Sequence, residues 1–229
     1  MKNKEAIVLS WSGGKDSAYA LYQLLNEGQY EVKYLLTNIY QPNGRVSMHG
    51  TPEGLIEQQA ESIGIPLIKL YIEEKTPEEY EVKMKGFLLK MKAEGIHKIA
   101  FGDLFLEDLK AYRENKLAEV GMKALFPLWK KDTTALSLAF LKDGFKTHIC
   151  CIDTAKIPKK LIGVNYSISF LDQLPKTVDP CGENGEFHSF CFEGPIFKKK
   201  ISFNKNGTVT KKYSHNGLEF HYLFSDIGN

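Results

Sequence analysis

Residues 10–17, Ser-Trp-Ser-Gly-Gly-Lys-Asp-Ser, decide the fold of this chain. They follow a short apolar run at residues 6–9 and lead into an apolar-periodic segment at residues 18–25. An apolar run, a glycine pair and a periodic segment in this order predict a strand, a tight turn and a helix. Because the first N–H groups of a helix lack partners and its dipole is positive there, the turn is predicted to bind phosphate.

The side chains of this turn suit a nucleotide phosphate. The glycine pair lets the backbone bend and approach a ligand closely. Two hydroxyl groups can donate hydrogen bonds, one ammonium group offsets phosphate charge, and one carboxylate suits a helix start or a metal ion. We therefore predict that the following residues bind the nucleotide phosphates: Ser12, Gly13, Gly14, Lys15, Asp16 and Ser17. Lys15 and Asp16 are expected at a solvent-facing rim.

Two better-known phosphate loops do not match this turn. A Walker A loop needs a glycine five residues before Gly14, where the chain has Leu9, and Ser or Thr after the lysine, where it has Asp16. The dinucleotide pattern G-x-G-x-x-G also fails, because Gly13 and Gly14 are adjacent and no third glycine follows in register.

Composition limits the class of protein. The chain has 229 residues, of which 43% are hydrophobic and 25% charged, and this balance is typical of a globular protein. Its net charge of +2 indicates no nucleic-acid or membrane partner. No apolar run approaches the ~20 residues of a membrane span, and no secretory signal is recognised. Four cysteines, two of them adjacent, argue against a disulfide framework, so we expect a reduced, cytoplasmic protein.

The first part of the chain alternates predicted strands and helices. Strands are predicted at residues 6–10, 31–39, 67–71 and 98–101, and helices at 16–27, 51–63, 76–95 and 107–120. This alternation predicts βαβ units and a parallel sheet. Because ligands bind beyond the carboxyl ends of parallel strands, we expect Gly13, Asn38 and Asp103 to lie on one rim of the sheet.

The pattern changes at residues 125–129. A helix is predicted at 132–142 and a strand at 145–153, and short strands are predicted at 197–203, 208–213 and 218–224. Asn206-Gly207 and Asn216-Gly217 separate these short strands, and Asn-Gly between strands predicts a hairpin turn. We therefore expect two domains, at residues 1–130 and 131–229.

A second polar cluster occupies residues 179–190, Asp-Pro-Cys-Gly-Glu-Asn-Gly-Glu-Phe-His-Ser-Phe. Its acids, histidine and amide could not all be paired in a core, so we predict an exposed loop. On composition alone, a surface turn without function is an equal alternative. Cys181, His188 and Cys191 lack the paired spacing of structural zinc sites, and a fourth ligand is not evident.

Together, the S-G-G-K-D-S turn and the G-E-N-G-E-F-H-S segment at 182–189 resemble the diphthine–ammonia ligase family, a branch of the PP-loop ATP pyrophosphatases. Further family-like pairs are His49-Gly50, Gly102-Asp103 and Arg113-Glu114, and Pro127-Leu128-Trp129 follows them. The resemblance runs from residue 7 to at least residue 191. It implies an α/β fold, with an adenine nucleotide alpha-hydrolase-like (Rossmann-like) parallel-sheet domain followed by a smaller α+β domain.

The resemblance also implies an activity. Family members use ATP to adenylate the diphthine carboxylate of translation elongation factor 2, and then transfer ammonia to it, which yields diphthamide, AMP and pyrophosphate. ATP and Mg²⁺ are the implied cofactors, with elongation factor 2 and ammonia as partners. The sequence does not reveal whether the chain forms a homodimer.

Under this resemblance, each candidate residue receives a role. Lys15, Asp16, Glu186 and His188 are the catalytic candidates. The nucleotide would contact Ser12, Gly13, Gly14, Lys15, Asp16, Ser17, Asn38 and Gly102. The acceptor substrate would contact His49, Glu183, Asn184, Glu186 and His188, and Mg²⁺ would be bound by Asp16 and Asp103. Simpler readings stay open: Asp103 as a helix cap, His49 as an exposed histidine, and Arg113-Glu114 as part of a solvated helix face.

Three other functions stay open. The same adenylation could act on another carboxylate, which would be required in a bacterium because diphthine is absent there. PP-loop proteins also thiolate RNA, although Cys150-Cys151 is not the usual cysteine arrangement for that reaction. A nucleotide-sensing module without catalysis is the third alternative.

Overall fold

Two β-sheets carry the residues singled out above. The computed structural model describes residues 4–47, 49–74, 76–215 and 218–229. The strands of the first sheet are β1 (Glu5–Ser10), β2 (Tyr30–Tyr40), β3 (Arg45–Val46), β4 (Leu67–Ile72), β5 (Lys98–Ala100) and β6 (Lys123–Leu125). The strands of the second are β7 (Lys146–Asp153), β8 (Phe187–Glu193), β9 (Asn204–His215) and β10 (Leu218–Gly228).

The first sheet is parallel in the order β4-β2-β1-β5-β6, and the short β3 pairs antiparallel with the end of β2. From β1 the chain adds β2 and β4 on one side, and then crosses to the other side of β1 to form β5 and β6. The strand order therefore reverses between β1 and β5. Such a reversal opens a crevice at the carboxyl ends of the two strands, where ligands bind in open α/β sheets.

Helices connect these strands much as the sequence predicts. They are α1 (Lys15–Glu27), α2 (Glu53–Ile63), α3 (Pro77–Ala93), α4 (Glu107–Ala118), α5 (Thr133–Lys142) and α6 (Ile168–Leu171). The cap of α3 is Thr76, which accepts from the Glu79 N–H, and Asp132 caps α5 through the Ala135 N–H. Helix α2, in contrast, is preceded by Pro52 and has no side-chain cap.

The second sheet is antiparallel throughout, in the order β8-β7-β10-β9. The strand predicted at 197–203 is wrong, because these residues have no strand pairing. The turn predicted at Asn206-Gly207 is also wrong: both residues lie inside β9, where the pairing with β10 skips one residue. Gly207 has a φ of 118° there, so this Asn-Gly pair forms a bulge. The other predicted turn, Asn216-Gly217, lies outside the described residues.

A hydrogen-bonded clamp joins the second sheet to the glycine turn of the first. The Cys191 N–H of β8 donates to the Gly13 carbonyl at 2.8 Å. The Gln59 amide of α2 donates to both the Gly13 and the Cys191 carbonyls, at 3.0 and 2.5 Å, and accepts from the Trp11 indole at 2.9 Å. All of these side chains are buried, so β8 is fixed against the turn.

No helix in the described part of the chain combines the length and apolar character that a membrane crossing requires.

Candidate functional site

The glycine turn forms where the sequence predicts it, between the end of β1 and the start of α1. Gly13 has a φ of 77°, and a Cβ atom there would lie 2.5 Å from Ile56 Cδ1. The positive φ favours glycine at this position, and a Cβ atom would also force the Ile56 side chain to shift. Helix α1 begins after Gly14 without a side-chain cap. The Lys15 N–H donates to Ser189, so the N–H groups that follow it in the first turn are the ones available to an anion.

A cleft of about 220 Å³ opens at this turn, at the point where the strand order reverses. Predicted site residues from both halves of the chain line it: Ser12, Lys15, Asp16, Ser17, His49, Gly102, Asp103, Glu183 and His188. The two sequence segments at 12–17 and 182–189 therefore meet in one cleft. Their contact is direct, because the Lys15 N–H donates to the Ser189 hydroxyl at 3.2 Å.

Gly102 brings the end of β5 against the start of α1. A Cβ atom at Gly102 would lie 3.0 Å from the Asp16 carbonyl carbon and 3.1 Å from the Ser17 nitrogen. Because backbone atoms cannot yield as a flexible side chain does, a larger residue would push the loop away from the helix. Gly102, which the sequence assigns to nucleotide binding, thus sets the distance between this loop and helix α1.

Outside the glycine turn, three predicted site residues do not line the cleft. Asn38 lies within β2, and its Oδ1 atom is buried. Asn184 is exposed and donates to Glu186 Oε1 at 3.1 Å. Glu186 is only 2% exposed and also accepts from the Asp179 N–H. The exposed loop predicted at 179–190 is therefore wrong in its second half, because the chain enters β8 at Phe187 and its side chains pack inward.

Lys15 is buried, whereas the sequence places it on a solvent-facing rim. Its side chain is 4% exposed and donates to Asp16 Oδ1 at 2.6 Å and to the Cys181 carbonyl. Burial by itself would lower the pKa of this ammonium group, but the Asp16 carboxylate outweighs that effect and raises the pKa. Lys15 is thus a fixed cation that links the glycine turn to the second polar segment.

Asp103 is held by an arginine. The Arg113 Nε atom lies 2.7 Å from Asp103 Oδ2, and the guanidinium stacks on the Phe101 ring at 4.3 Å. Burial raises the pKa of Asp103, and the Arg113 charge opposes that rise. Asp103 is therefore an ion-pair partner, and Arg113 is part of the cleft wall instead of a solvated helix face.

The chemistry of Asp16 and Asp103 fits a magnesium ion held mainly by a nucleotide. Both carboxylates line the cleft, and the Asp16 charge contributes to the raised pKa of Asp103. Mg²⁺ commonly takes one or two carboxylates together with phosphate oxygens and water. Within the described residues, no group of three or more His, Cys, Asp or Glu side chains could hold a metal by itself. Asp16 and Asp103 would therefore supply only part of a magnesium ligand set, and phosphate oxygens and water would have to supply the rest.

Two histidines form a pair at one wall of the cleft. The His49 and His188 rings lie 4.5 Å apart, centre to centre, and are tilted by 37°. Burial lowers the pKa of His49 to about 4, and burial with the neighbouring His49 lowers the pKa of His188 well below its ordinary range. Both rings are therefore neutral near pH 7. His49 Nδ1 and His188 Nε2 are buried and have no hydrogen-bond partner among the described residues.

Glu183 connects the second polar segment to the loop after β5. Its Oε1 atom accepts from the Leu104 N–H at 2.7 Å and from the Phe105 N–H at 3.4 Å. Burial raises the pKa of this carboxyl group from 4.5 to about 7. Glu183 thus links two loops of the cleft by hydrogen bonds, although burial destabilises its ionised form.

The raised pKa of Glu183 predicts a pH-dependent stability. Between pH 4.5 and 7 the folded state keeps a proton that the unfolded state releases, so this residue's contribution to stability is lost as pH rises through that window. Glu183→Gln keeps the acceptor oxygen but cannot ionise. We expect the variant to match the wild type near pH 4 and to exceed its free energy of unfolding at pH 8.

Urea unfolding of both proteins at several pH values from 4 to 8 measures this difference. Glu31→Gln, at an exposed glutamate of β2, is the matched control and should show a constant difference from the wild type. A constant difference for Glu183→Gln as well would contradict the prediction.

The sequence did not reveal Gln59 and Ser189 as site-forming residues. Gln59 sits in the middle of α2, in a helical pattern that gives no sign of its three hydrogen bonds. Ser189 was inside the second polar segment, but its contact with the Lys15 N–H depends on the packing of β8. Only the fold brings these residues to the turn.

The four cysteines are free and buried. Burial raises the pKa of the Cys150 thiol to about 12, and it also raises the pKa of Cys151, Cys181 and Cys191. Since the thiolate is the nucleophile, burial disfavours the reactive form of each of these groups.

Comparisons with known proteins point to one family. The models of the diphthamide synthase N-terminal domain and C-terminal domain match residues 4–124 and 132–220. The diphthine–ammonia ligase of Danio rerio is 29% identical over 228 residues, with 86% of each chain covered. That of Bos taurus is 26% identical over 223 residues, with 87% of this chain and 83% of the relative covered.

Among solved structures, the U34-tRNA thiolase NcsA from Methanococcus maripaludis, with its 4Fe-4S cluster, is similar over part of the fold. It is 24% identical, with a TM-score of 0.38, and the similarity covers 62% of this chain and 57% of the thiolase.

Proposed function

This chain belongs to the diphthamide synthase family, and from that premise we propose that it joins ammonia to the diphthine carboxylate of translation elongation factor 2. It is an ATP-dependent carbon–nitrogen ligase. The observation that supports the proposal best is the single cleft shared by the phosphate turn and the second polar segment.

The reaction needs two steps, because a carboxylate oxygen is a poor leaving group. First, a carboxylate oxygen attacks the α-phosphorus of ATP, and pyrophosphate leaves to give an acyl adenylate. Ammonia then attacks the acyl carbon and loses a proton, and AMP leaves as the amide forms. The protein must hold the phosphates, the carboxylate and the ammonia in line, so most of its contribution is positioning and charge stabilisation.

The phosphate chain would lie on the glycine turn. The N–H groups at the start of α1 and the Ser12 and Ser17 hydroxyls supply donors, and Lys15 supplies a fixed positive charge. At about 220 Å³ the cleft is smaller than the ~300–1,000 Å³ of typical small-molecule pockets. It suits the phosphate chain and the reacting carboxylate, so the adenosine would extend beyond it. Mg²⁺ bound by Asp16 and Asp103 would neutralise charge on the phosphates.

The histidine pair would receive the ammonia. A neutral imidazole nitrogen accepts a hydrogen bond or a proton from a nitrogen nucleophile, and both His49 and His188 are neutral with a partner-free buried nitrogen. Their wall of the cleft adjoins the phosphate turn, because a Cβ atom at Gly14 would lie 2.9 Å from His49 Cε1. The acyl adenylate would therefore form beside the residues that hold the attacking nitrogen.

Nucleotide product analysis tests the proposal. The full chain is incubated with Mg-ATP and ammonium, with and without diphthine-bearing elongation factor 2, and the nucleotides and the modified factor are quantified. The proposal predicts AMP and pyrophosphate in equal amounts only with the factor, together with a mass decrease of the factor that matches amide formation. AMP formed with other carboxylates, but never with the factor, would reassign the substrate. ATP binding without AMP would indicate a nucleotide-sensing module.

RNA thiolation is the second candidate reaction, and cysteine substitutions distinguish it from ligation. We expect Cys150→Ala and Cys191→Ala to keep turnover within about twofold of the wild type, since both thiols are buried and their raised pKa values disfavour the thiolate. Steady-state AMP formation measures this, with thermal unfolding as a check on folding. Loss of turnover in a folded variant would favour the thiolation reading.

A further inference from the structure

A second concave site lies beside the cleft, where parts of the two sheets meet. It has a volume of about 220 Å³. We refer to it as the Arg45 pocket, and its lining residues are Arg45, Gly50, Val209, Lys211, Phe224 and Asp226. Strand β3 and the turn after it form one wall. The antiparallel sheet forms the floor, because Val209 pairs directly with Phe224, and residues two positions apart on a strand point to the same face.

The Arg45 pocket and the catalytic cleft share one short loop. Gly50 lines the pocket, and the preceding residue, His49, lines the cleft. Arg45 Nη1 donates to the Gly50 carbonyl at 2.7 Å. Gly50 has a φ of 71°, and a Cβ atom there would lie 2.9 Å from Phe224 Cδ1, so the loop rests on the floor of the pocket. A group bound in the pocket would therefore lie next to the loop that carries the cleft histidine.

The Arg45 pocket carries an excess of positive charge. Arg45 Nη2 lies 2.6 Å from Asp226 Oδ1, so these two charges offset each other. Lys211 Nζ lies 4.9 Å from the centre of the Phe224 ring, and no carboxylate in the described part of the chain lies within ion-pair distance of it. The lining side chains thus include two cations and one carboxylate, and Lys211 is the cation without a counter-ion. This balance favours an anion with a single charge.

The pocket suits a carboxylate side chain better than a phosphate group. A second negative charge would be repelled by the Asp226 carboxylate, which lines the same pocket. Phe224 and the more exposed Val209 offer an apolar surface to the methylene stem of an aspartate or glutamate. Lys211, and the N–H groups of Arg45 that Gly50 and Asp226 do not use, can donate to the carboxylate oxygens.

We propose that the Arg45 pocket binds an aspartate or glutamate side chain of the acceptor protein. The inference rests on the proposed function, since it takes the acceptor to be a protein. A cleft of about 220 Å³ holds the reacting group and leaves the rest of such an acceptor to contact the surrounding surface. The Arg45 pocket borders the cleft through His49 and Gly50, so a carboxylate close to the reacting residue would reach it. This contact orients the acceptor and raises its affinity.

Lys211→Glu tests the pocket by kinetics. The substitution replaces the unpaired cation with a charge that repels a carboxylate, so we expect KM for diphthine-bearing elongation factor 2 to rise about tenfold, with kcat and the KM for ATP within about twofold. Lys211→Gln should give an intermediate KM. Lys212→Glu is the matched control, because this neighbouring lysine is exposed on the opposite face of β9. Thermal unfolding checks that each variant is folded.

Cross-linking identifies the group in the pocket without turnover. A carbodiimide joins an amine to a carboxylate that contacts it. In a mixture of the wild type and the factor without ATP, we expect a cross-link from Lys211, and not from Lys212, to an aspartate or glutamate of the factor. Replacement of that acid by lysine should then restore a low KM with Lys211→Glu.

The outcomes separate the pocket from the ligase reaction. An unchanged acceptor KM in folded Lys211→Glu, without a cross-link from Lys211 in the wild type, would overturn the pocket and leave the ligase intact. A cross-link in a wild type that never forms the amide would support the docking site and overturn the proposed ligation. Protection of Lys211 from an amine reagent by inorganic phosphate, but not by the factor, would make this a phosphate site and overturn the proposal.

Discussion

Lys15→Met is expected to lower the rate of ATP cleavage by about 100-fold or more. Lys15 is the fixed cation of the glycine turn, and methionine keeps most of its volume without its charge. Removal of one preorganised group that stabilises developing charge typically lowers kcat by about 10²–10³-fold. Steady-state pyrophosphate release with saturating acceptor and ammonium measures the effect.

The burial of Lys15 complicates this variant, so folding must be measured beside activity. Methionine leaves the Asp16 carboxylate and the Cys181 carbonyl without their cation, which is expected to lower the thermal unfolding midpoint. Lys15→Arg separates the two effects, because it restores a cation but not the compact ammonium geometry. Lys33→Met, at an exposed lysine of β2, controls for a simple loss of charge. Pyrophosphate release near the wild-type rate in folded Lys15→Met would remove Lys15 from the mechanism.

His188→Ala is expected to reduce amide formation by about 100-fold or more while ATP affinity stays within about twofold. His188 is neutral and partner-free at Nε2 and lies on the wall of the cleft, where the nitrogen nucleophile would bind. General-base catalysis commonly contributes about 10²–10⁴-fold. Calorimetry gives the ATP affinity, and mass spectrometry of the acceptor gives the amide.

His221→Ala is the matched control for this change, at a partly exposed histidine on the same sheet. It should leave both measurements unchanged. A large loss of ATP affinity in His188→Ala would place the second polar segment in the nucleotide site instead of the acceptor site. Normal amide formation would show that His49 alone suffices, or that ammonia needs no protein base.

The sequence predicted the parts of the fold that local chemistry determines. A glycine at positive φ, an uncapped helix start and a Thr76 cap depend on neighbouring residues, so the turn and α3 were found almost to the residue. The parallel sheet followed from strand and helix alternation. The three-residue strand β6 was not predicted, because so short a segment has no periodicity of its own.

Tertiary packing decided what the sequence missed. A polar segment reads as an exposed loop, but β8 pairs with β7 and turns Glu186 and Ser189 inward. A lysine beside a glycine turn reads as exposed, but the Cys181 carbonyl, distant in sequence, holds Lys15 inside. The pair Asn206-Gly207 is typical of a turn, but β9 continues to pair with β10 on both sides of it, so the pair forms a bulge. Each of these outcomes depends on residues far away along the chain.

The hydrogen bonds from Gln59 and Cys191 to the Gly13 carbonyl connect the second sheet directly to the glycine turn of the first. The backbone shape of the phosphate turn is completed by a strand from the other end of the chain. An exchange of the antiparallel sheet between relatives, made to change the acceptor, would also replace part of the nucleotide site. A change of acceptor in this architecture is therefore easier to make by replacing side chains of β8 than by moving the strand, because β8 must keep its position against the turn.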